Sequence, residues 1–278
     1  MAALVSCLTN SYGRFGPLAA MEHIHDAGLS HLELNIKNHG VPSFFKETPL
    51  LTNGSTQADI DRVKDLLKQN QVQLSSCNIT SGNPLDPDVV LMTKQKLDLA
   101  SQLGVSLVVG GAGEIEQESQ RETLYQHLKD IGDYAAEKGI TYCFETHPGI
   151  CVNAAGMLRT MNDLDHPHLK LNFDTGNINY YNEHADVIES LREVAPFVKH
   201  VHLKDSYCKF KDWNFTALGE AGGVDFLKIR FILEDQKFEG PYSLEIEGIE
   251  GEPDPTLEEH HRRIKQSVQY LCECGFFD

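Results

Sequence analysis

Four short stretches in the second half of the chain carry carboxylates and imidazoles of the kind that metal-assisted proton transfer requires. They are Phe144-Glu145-Thr146-His147, Phe173-Asp174-Thr175-Gly176-Asn177, His200-Val201-His202-Leu203-Lys204-Asp205 and Ser243-Leu244-Glu245-Ile246-Glu247. Each ends an apolar run, and an ionised group at the apolar end of a strand is costly to bury without a partner. Groups from four such strands crowding one point need a cation to offset their repulsion, and a divalent metal answers that need. Three carboxylates with one imidazole form a mostly hard ligand set, which favours Mn2+ or Mg2+ and admits Co2+ or Zn2+ through the imidazole. Taken singly, each acid reads as a solvated strand-end residue; recurrence on successive strands argues for a shared site.

The elements that must position these groups repeat eight times. Short β-branched or apolar runs at 3–9, 31–36, 73–79, 106–112, 141–146, 169–175, 198–203 and 242–247 are each followed by a longer stretch with helical period. Parallel strands with crossover helices follow, and eight of them predict an α/β fold closed into a (β/α)8 barrel. Such barrels run to about 250 residues as one domain, so residues 1–278 are expected to form a single one. Ile60, Val63 and Leu67, then Leu124, Leu128 and Ile131, then Ile264, Val268 and Leu271 mark helix faces that cover the sheet. Gly28, Gly104, Gly139 and Gly275 stand where left-handed helix caps belong. Two connections, 37–57 and 204–223, exceed what a strand-to-helix loop needs, and long loops in compact domains are usually functional. Both belong at the mouth formed by the C-terminal strand ends, where barrel active sites sit.

Composition narrows the partners. Hydrophobic residues at 41% and charged residues at 23% describe an ordinary globular protein. No apolar run approaches the length of a membrane span, and the first residues lack the basic and apolar regions of a secretory signal, so a cytoplasmic address is expected. Seven scattered cysteines read as reduced, mostly buried thiols. A net charge of -17 without a local basic patch argues against a nucleic-acid partner and suits neutral sugars, polyols and bound cations.

The segments FET (144–146), LNFDTGN (171–177), VKHVHLKD (198–205), LGEAGGVDF (218–226) and FEGPYSLEIEG (238–248) carry a resemblance that covers essentially the whole chain. Their order and spacing are similar to those of the xylose isomerase-like TIM barrels. That group includes ketose 3-epimerases, hydroxypyruvate isomerases, inosose isomerases and dehydratases, and metal-dependent abasic-site endonucleases. The resemblance implies one divalent ion, Mn2+ first, held by Glu145, Asp174, His202 and Glu245. Glu247, on the same strand face as Glu245, competes for that assignment, and His200 is expected one layer deeper as a structural histidine. His147, Asn177, Lys204, Glu247, Trp213, Asn35 and Asn78 are the expected substrate contacts. Phe44 and Phe45 offer a lid, and Glu33 joins Asn35 and Asn78 in a polar wall.

What the resemblance implies for activity is isomerisation or epimerisation of a ketose, keto-polyol or related carbonyl compound through an enediolate. Glu145 and Glu245 would serve as base and conjugate acid. Three positions depart from the ketose 3-epimerase pattern: Cys151 replaces a Glu, Cys208 an Arg and Asn177 a His. A lyase on the same centre is therefore kept as the alternative, either inosose dehydration or β-elimination from an oxidised glycoside, with His147 or Lys204 helping the leaving group. The endonuclease reading needs more histidines and a basic face, and a non-catalytic sugar-binding barrel stands last. Relatives are often dimers or tetramers, so a homodimer or homotetramer is what the resemblance implies.

Overall fold

The computed structural model describes residues 3–277. Eight strands form its centre: β1 (Val5–Leu8), β2 (His31–Lys37), β3 (Gln73–Asn78), β4 (Leu107–Gly110), β5 (Thr141–Glu145), β6 (Leu169–Asp174), β7 (Val198–Leu203) and β8 (Tyr242–Leu244). All eight expected runs form strands, some shorter than the apolar pattern. The run 242–247 yields only three strand residues: the ladder to β7 ends with the bond from Glu245 N to Leu203 O, and Glu247 N turns to the loop residue Phe215. Apolar patterning marks extended residues, whereas strand assignment asks which peptide groups find a ladder partner. All barrel pairings are parallel in the order β1-β8-β7-β6-β5-β4-β3-β2, and β1 pairs with β2 to close the ring.

Among the described residues nine α-helices accompany the strands: α1 (Gly16–His23), α2 (Gln57–Gln69), α3 (Pro87–Leu103), α4 (Arg121–Glu137), α5 (Ala154–Leu164), α6 (Asn177–Tyr181), α7 (Val187–Val194), α8 (Phe226–Asp235) and α9 (Leu257–Glu273). Leu124, Leu128 and Ile131 are buried, as are Ile264, Val268 and Leu271; Ile60 and Val63 are buried while Leu67 is half-buried. The helices begin where short polar side chains cap them. Asp86, Asn153, Asp186, Asp225 and Thr256 each accept a first-turn backbone N–H. Gly28, Gly104, Gly139 and Gly275 all take positive φ, between 69° and 87°, which a side chain would strain. No helix among the described residues is long and apolar enough to cross a membrane. All seven cysteines are free thiols, five of them buried.

Strand alternation sends Leu32, Leu34 and Ile36 into the apolar layer under the helices and leaves Glu33 and Asn35 for the barrel interior. The stagger of the ladder then decides which residues stand level. Glu145 lies opposite Asn172, Asp174 opposite His202, and His202 opposite Ser243. A closed barrel requires such a shear, so one height at the mouth is reached two residues later after two strands. Two threonines extend the ladder past its end. Thr146 Oγ1 accepts from Asp174 N at 3.0 Å, and Thr175 Oγ1 accepts from Lys204 N at 2.9 Å while donating to Lys204 O at 2.8 Å.

The long loop after β7 is organised by one acid. Asp205 is fully buried and accepts backbone N–H bonds from Ser206, Gly219 and Gly222 at 2.9 Å and from Val224 at 3.3 Å. Burial pushes its carboxyl pKa up, opposed by those four donors. Within the loop, Asn214–Phe215 pairs antiparallel with Gly248–Ile249, tying it to the chain beyond β8. Asp205→Ala would strand these buried N–H groups. The expected result is a loss of about 1–3 kcal/mol in urea denaturation, with faster tryptic cleavage at Lys209 and Lys211; unchanged stability and cleavage would remove Asp205 as the anchor.

Candidate metal centre and active site

His202 is the hub of the mouth. β7 carries it inward with both ring nitrogens engaged and no exposure to solvent. Its Nε2 lies 3.0 and 3.2 Å from the two oxygens of Glu33, which is itself fully buried. Its Nδ1 faces the other way, 3.0 Å from Glu245 Oε2, 3.5 Å from Glu145 Oε1 and 4.0 Å from Asp174 Oδ2. One ligand atom from each of Glu145, Asp174, His202 and Glu245 falls within 4.8 Å of the others. The structure thus brings together the four expected metal-site residues. Glu33, which the sequence marks only as part of a polar wall, fixes the ring of His202 so that Nδ1 faces the carboxylates. A carboxylate on the far nitrogen of a ligating histidine orients the ring and raises its basicity.

Glu33, His200 and His202 also converge. His200 is satisfied on both nitrogens, by Ser76 Oγ and Asn172 Oδ1 at 2.9 Å each. Burial pulls its pKa down to about 4, against the pull of Glu33. Asn172 carries the chain onward, its amide nitrogen 3.1 Å from His202 Nδ1. This inner group is a hydrogen-bonded support, with His200 one layer below the mouth.

The outer group fits a divalent ion because its buried carboxylate oxygens turn toward one another with only nitrogen groups beside them. Asp174 Oδ1 accepts from Gly176 N and Asn177 N at 2.8 Å, while Oδ2 faces Lys204 Nζ at 3.2 Å, and Glu245 Oε2 faces Lys204 Nζ at 3.1 Å and His202 Nδ1 at 3.0 Å. Carboxylates crowded together out of water call for positive charge. Hard carboxylate oxygens beside one imidazole nitrogen suit Mn2+, Mg2+, Co2+ or Zn2+. Burial raises the Asp174 carboxyl to about 7 against the pull of Lys204. Burial would raise Glu245 as well, but Lys204 and His202 outweigh it and hold that carboxyl below its usual range. Burial likewise lifts Glu247 to about 7, with Lys204 opposing.

The expected substrate contacts divide into three groups. Lys204 is buried among Asp174, Glu245 and Glu247, and Asn177 serves it: the amide oxygen accepts from Nζ and the amide nitrogen donates to Thr146 O. Asn177 is therefore spent on the protein rather than left free. Asn35 and Asn78 stand side by side as ladder partners on the adjacent strands β2 and β3; Asn35 donates to Asn10 Oδ1 at 2.6 Å and Asn78 Oδ1 accepts from Thr80 N. His147 is exposed at the rim, 3.2 Å from the Tyr181 hydroxyl. Together with Glu145, Thr80, Gly82, Gly111 and Gly113 it lines a cavity of about 300 Å³. Trp213 packs against Tyr180 and Phe215 and lies 5.9 Å from Phe44, ring to ring. Trp213 and Phe44, with Phe45, Glu247 and Arg14, line a second cavity of about 330 Å³.

Glu33→Gln keeps the shape of the His202 contact and removes its charge. Its expected effect is a loss of about 10- to 100-fold in Mn2+ affinity by isothermal titration calorimetry; wild-type affinity in the variant would show that His202 needs no such partner.

Comparison with known proteins adds the relationship. The profile of the xylose isomerase-like TIM barrel matches residues 22–274. Among curated relatives, the inosose dehydratase of Clostridium perfringens strain 13 is 29% identical over 191 residues, which cover 63% of this chain and 61% of that protein. The match thus spans about three fifths of the relative's length. Among solved structures, a xylose isomerase-like TIM barrel protein from Mycobacterium smegmatis in complex with magnesium superposes with a TM-score of 0.74 at 17% identity, covering 98% of this chain and 97% of that one. An L-ribulose 3-epimerase superposes equally well, TM-score 0.74 at 18% identity, covering 98% and 94%. At such identities the superpositions speak for the fold. Matched along nearly its full length, with the barrel closed and its mouth built as described, the chain belongs to the xylose isomerase-like TIM barrel family.

Proposed function

We propose that this protein is a divalent-metal-dependent isomerase or epimerase that moves a proton on the carbon beside the carbonyl of a ketose, keto-polyol or related small polyhydroxylated compound. The observation that carries this reading is the convergence of one ligand atom each from Glu145, Asp174, His202 and Glu245 at the buried mouth. The neighbour named L-ribulose 3-epimerase supports it, the relative named inosose dehydratase supports dehydration on the same centre, and the magnesium complex of another neighbour agrees with a hard divalent ion. When bound, such an ion polarises the substrate carbonyl and offsets the negative charge that develops on its oxygen.

The chain's own groups do the rest. Glu145 and Glu245 approach His202 Nδ1 from β5 and from the end of β8, so a substrate at the mouth meets a carboxylate from each of two strands. One removes the proton and the other returns it as conjugate acid. Asn35, Asn78 and His147 offer hydrogen bonds to hydroxyls, and Trp213 with Phe44 shields the reacting carbon from water. Phe44 is 77% exposed, which suits a lid that is covered once substrate is in place.

A second reading, dehydration, is favoured by the Lys204–Glu247 pair, whose Nζ and Oε2 are 2.8 Å apart just beyond Glu245. In that reaction a carboxylate takes the proton beside the carbonyl, the hydroxyl on the next carbon departs with a proton from Glu247, a C=C bond forms and water leaves. Cys151, Cys208 and Asn177, where ketose 3-epimerases resemble one another, point the same way.

A panel of ketoses and inososes incubated with Mn2+ in D2O separates the readings. Isomerisation or epimerisation gives deuterium exchange into a product that otherwise keeps the substrate's composition, whereas dehydration gives a product lighter by one water. Absence of both across the panel would leave the sugar-binding barrel. Glu245→Gln is expected to lower kcat by about 10²- to 10⁴-fold, and near-normal turnover with metal still bound would end its role as an acid-base group. Trp213→Ala should raise KM by about three- to tenfold with a smaller change in kcat; an unchanged KM would confine Trp213 to loop packing.

A further inference from the structure

The ammonium of Lys204 and a divalent ion lay claim to the same two oxygens. Lys204 lies two residues beyond His202, so the strand directs it toward the same mouth. Its Nζ is 3.2 Å from Asp174 Oδ2 and 3.1 Å from Glu245 Oε2, besides 2.8 Å from Glu247 Oε2 and 3.2 Å from Asn177 Oδ1. Asp174 has no other oxygen to offer, because Oδ1 is committed to Gly176 N and Asn177 N. Glu245 Oε2 is likewise the atom that faces His202 Nδ1.

The lysine is also held in place. Its ammonium sits 4.7 Å from the centre of the Phe215 ring. Its stem runs so close to Gly176 that a Cβ there would lie 2.8 Å from Lys204 Cγ and 2.9 Å from Cδ. With the side chain 2% exposed, the charge has no short path to water. An exposed lysine would yield to an incoming ion by swinging away; this one is walled in.

We infer that Lys204 is a built-in competitor of the metal. Its fixed positive charge shares Asp174 and Glu245 with the ion, sets metal affinity below what the four ligands would otherwise give, and compensates the carboxylates whenever the ion departs. Two cations drawn to one pair of oxygens in a buried site repel each other strongly. The same lysine stabilises the protein without metal, since carboxylates left unpaired in the interior are costly. The inference rests on the reading of Glu145, Asp174, His202 and Glu245 as metal ligands.

The test compares the full-length wild type with Lys204→Met and Lys204→Gln, the second variant keeping a hydrogen-bond donor should the first fold poorly. Isothermal titration calorimetry with MnCl2 reads affinity, and scanning calorimetry in EDTA and in excess Mn2+ reads thermal stability. Both variants are expected to bind Mn2+ about tenfold or more tightly than the wild type. In EDTA both should melt several degrees lower, so that the rise in Tm on adding Mn2+ widens. Equal or weaker binding by both variants, with wild-type binding intact, overturns this inference alone and makes Lys204 an aid to the ligands. No Mn2+ binding by the wild type overturns it together with the metal reading.

Discussion

The contact between Glu33 and His202 sets the terms for the rest of the mouth. Both side chains are fully out of solvent, and removing one partner of such a pair leaves a buried charge that costs about 3–5 kcal/mol. By claiming Nε2, Glu33 fixes the plane of the imidazole and turns Nδ1 toward Glu145, Asp174 and Glu245. His200, Asn172 and Ser76 then support this pair from below. The interior of this barrel is accordingly a network of polar side chains, with the apolar packing moved outward to the layer between strands and helices. Low-dielectric surroundings make such a network strong when every member is satisfied.

The barrel's stagger converts this local electrostatics into a shared centre. Asp174, His202 and Ser243 stand level on neighbouring strands, and the ladder is prolonged by Thr146 and Thr175 at the point where ordinary pairing ends. Each of those threonines directly follows one of the acids, so the residue that contributes charge is succeeded by the residue that fixes its height. Asp205 plays the same part for the loop above, gathering four peptide N–H groups so that Trp213 overhangs the mouth.

Most of the architecture is legible in the sequence because it rests on local rules. Strand alternation, helix period, the capping acids and the glycines with positive φ all act within a few residues of one another. The stretches that hold Glu145, Asp174, His202 and Glu245 are legible for a related reason, since each lies at the apolar end of a strand, and the choice of these four within them is what the family resemblance implies. Glu33 is not, because its partner is 169 residues away and nothing local distinguishes an inward acid that lines a wall from one that holds a histidine. Lys204 reads equally well as a surface residue until Gly176 and Phe215 are seen to enclose it. Asn177 looks free to greet a hydroxyl, yet the fold spends its amide on Lys204 and Thr146. What escapes the sequence is pairing across the barrel, which only closure decides.

The seam between β1 and β8 is where the last barrel strand in chain order meets the first. Three residue pairs join it, Val5 with Tyr242, Ser6 with Ser243 and Cys7 with Leu244. The next residue along is Glu245, the last of the four ligand candidates to leave the ribosome. The strand that closes the ring thus leads directly into the last acid of the mouth, so a nascent polypeptide has made Glu145, Asp174 and His202 well before Glu245 can be brought beside them.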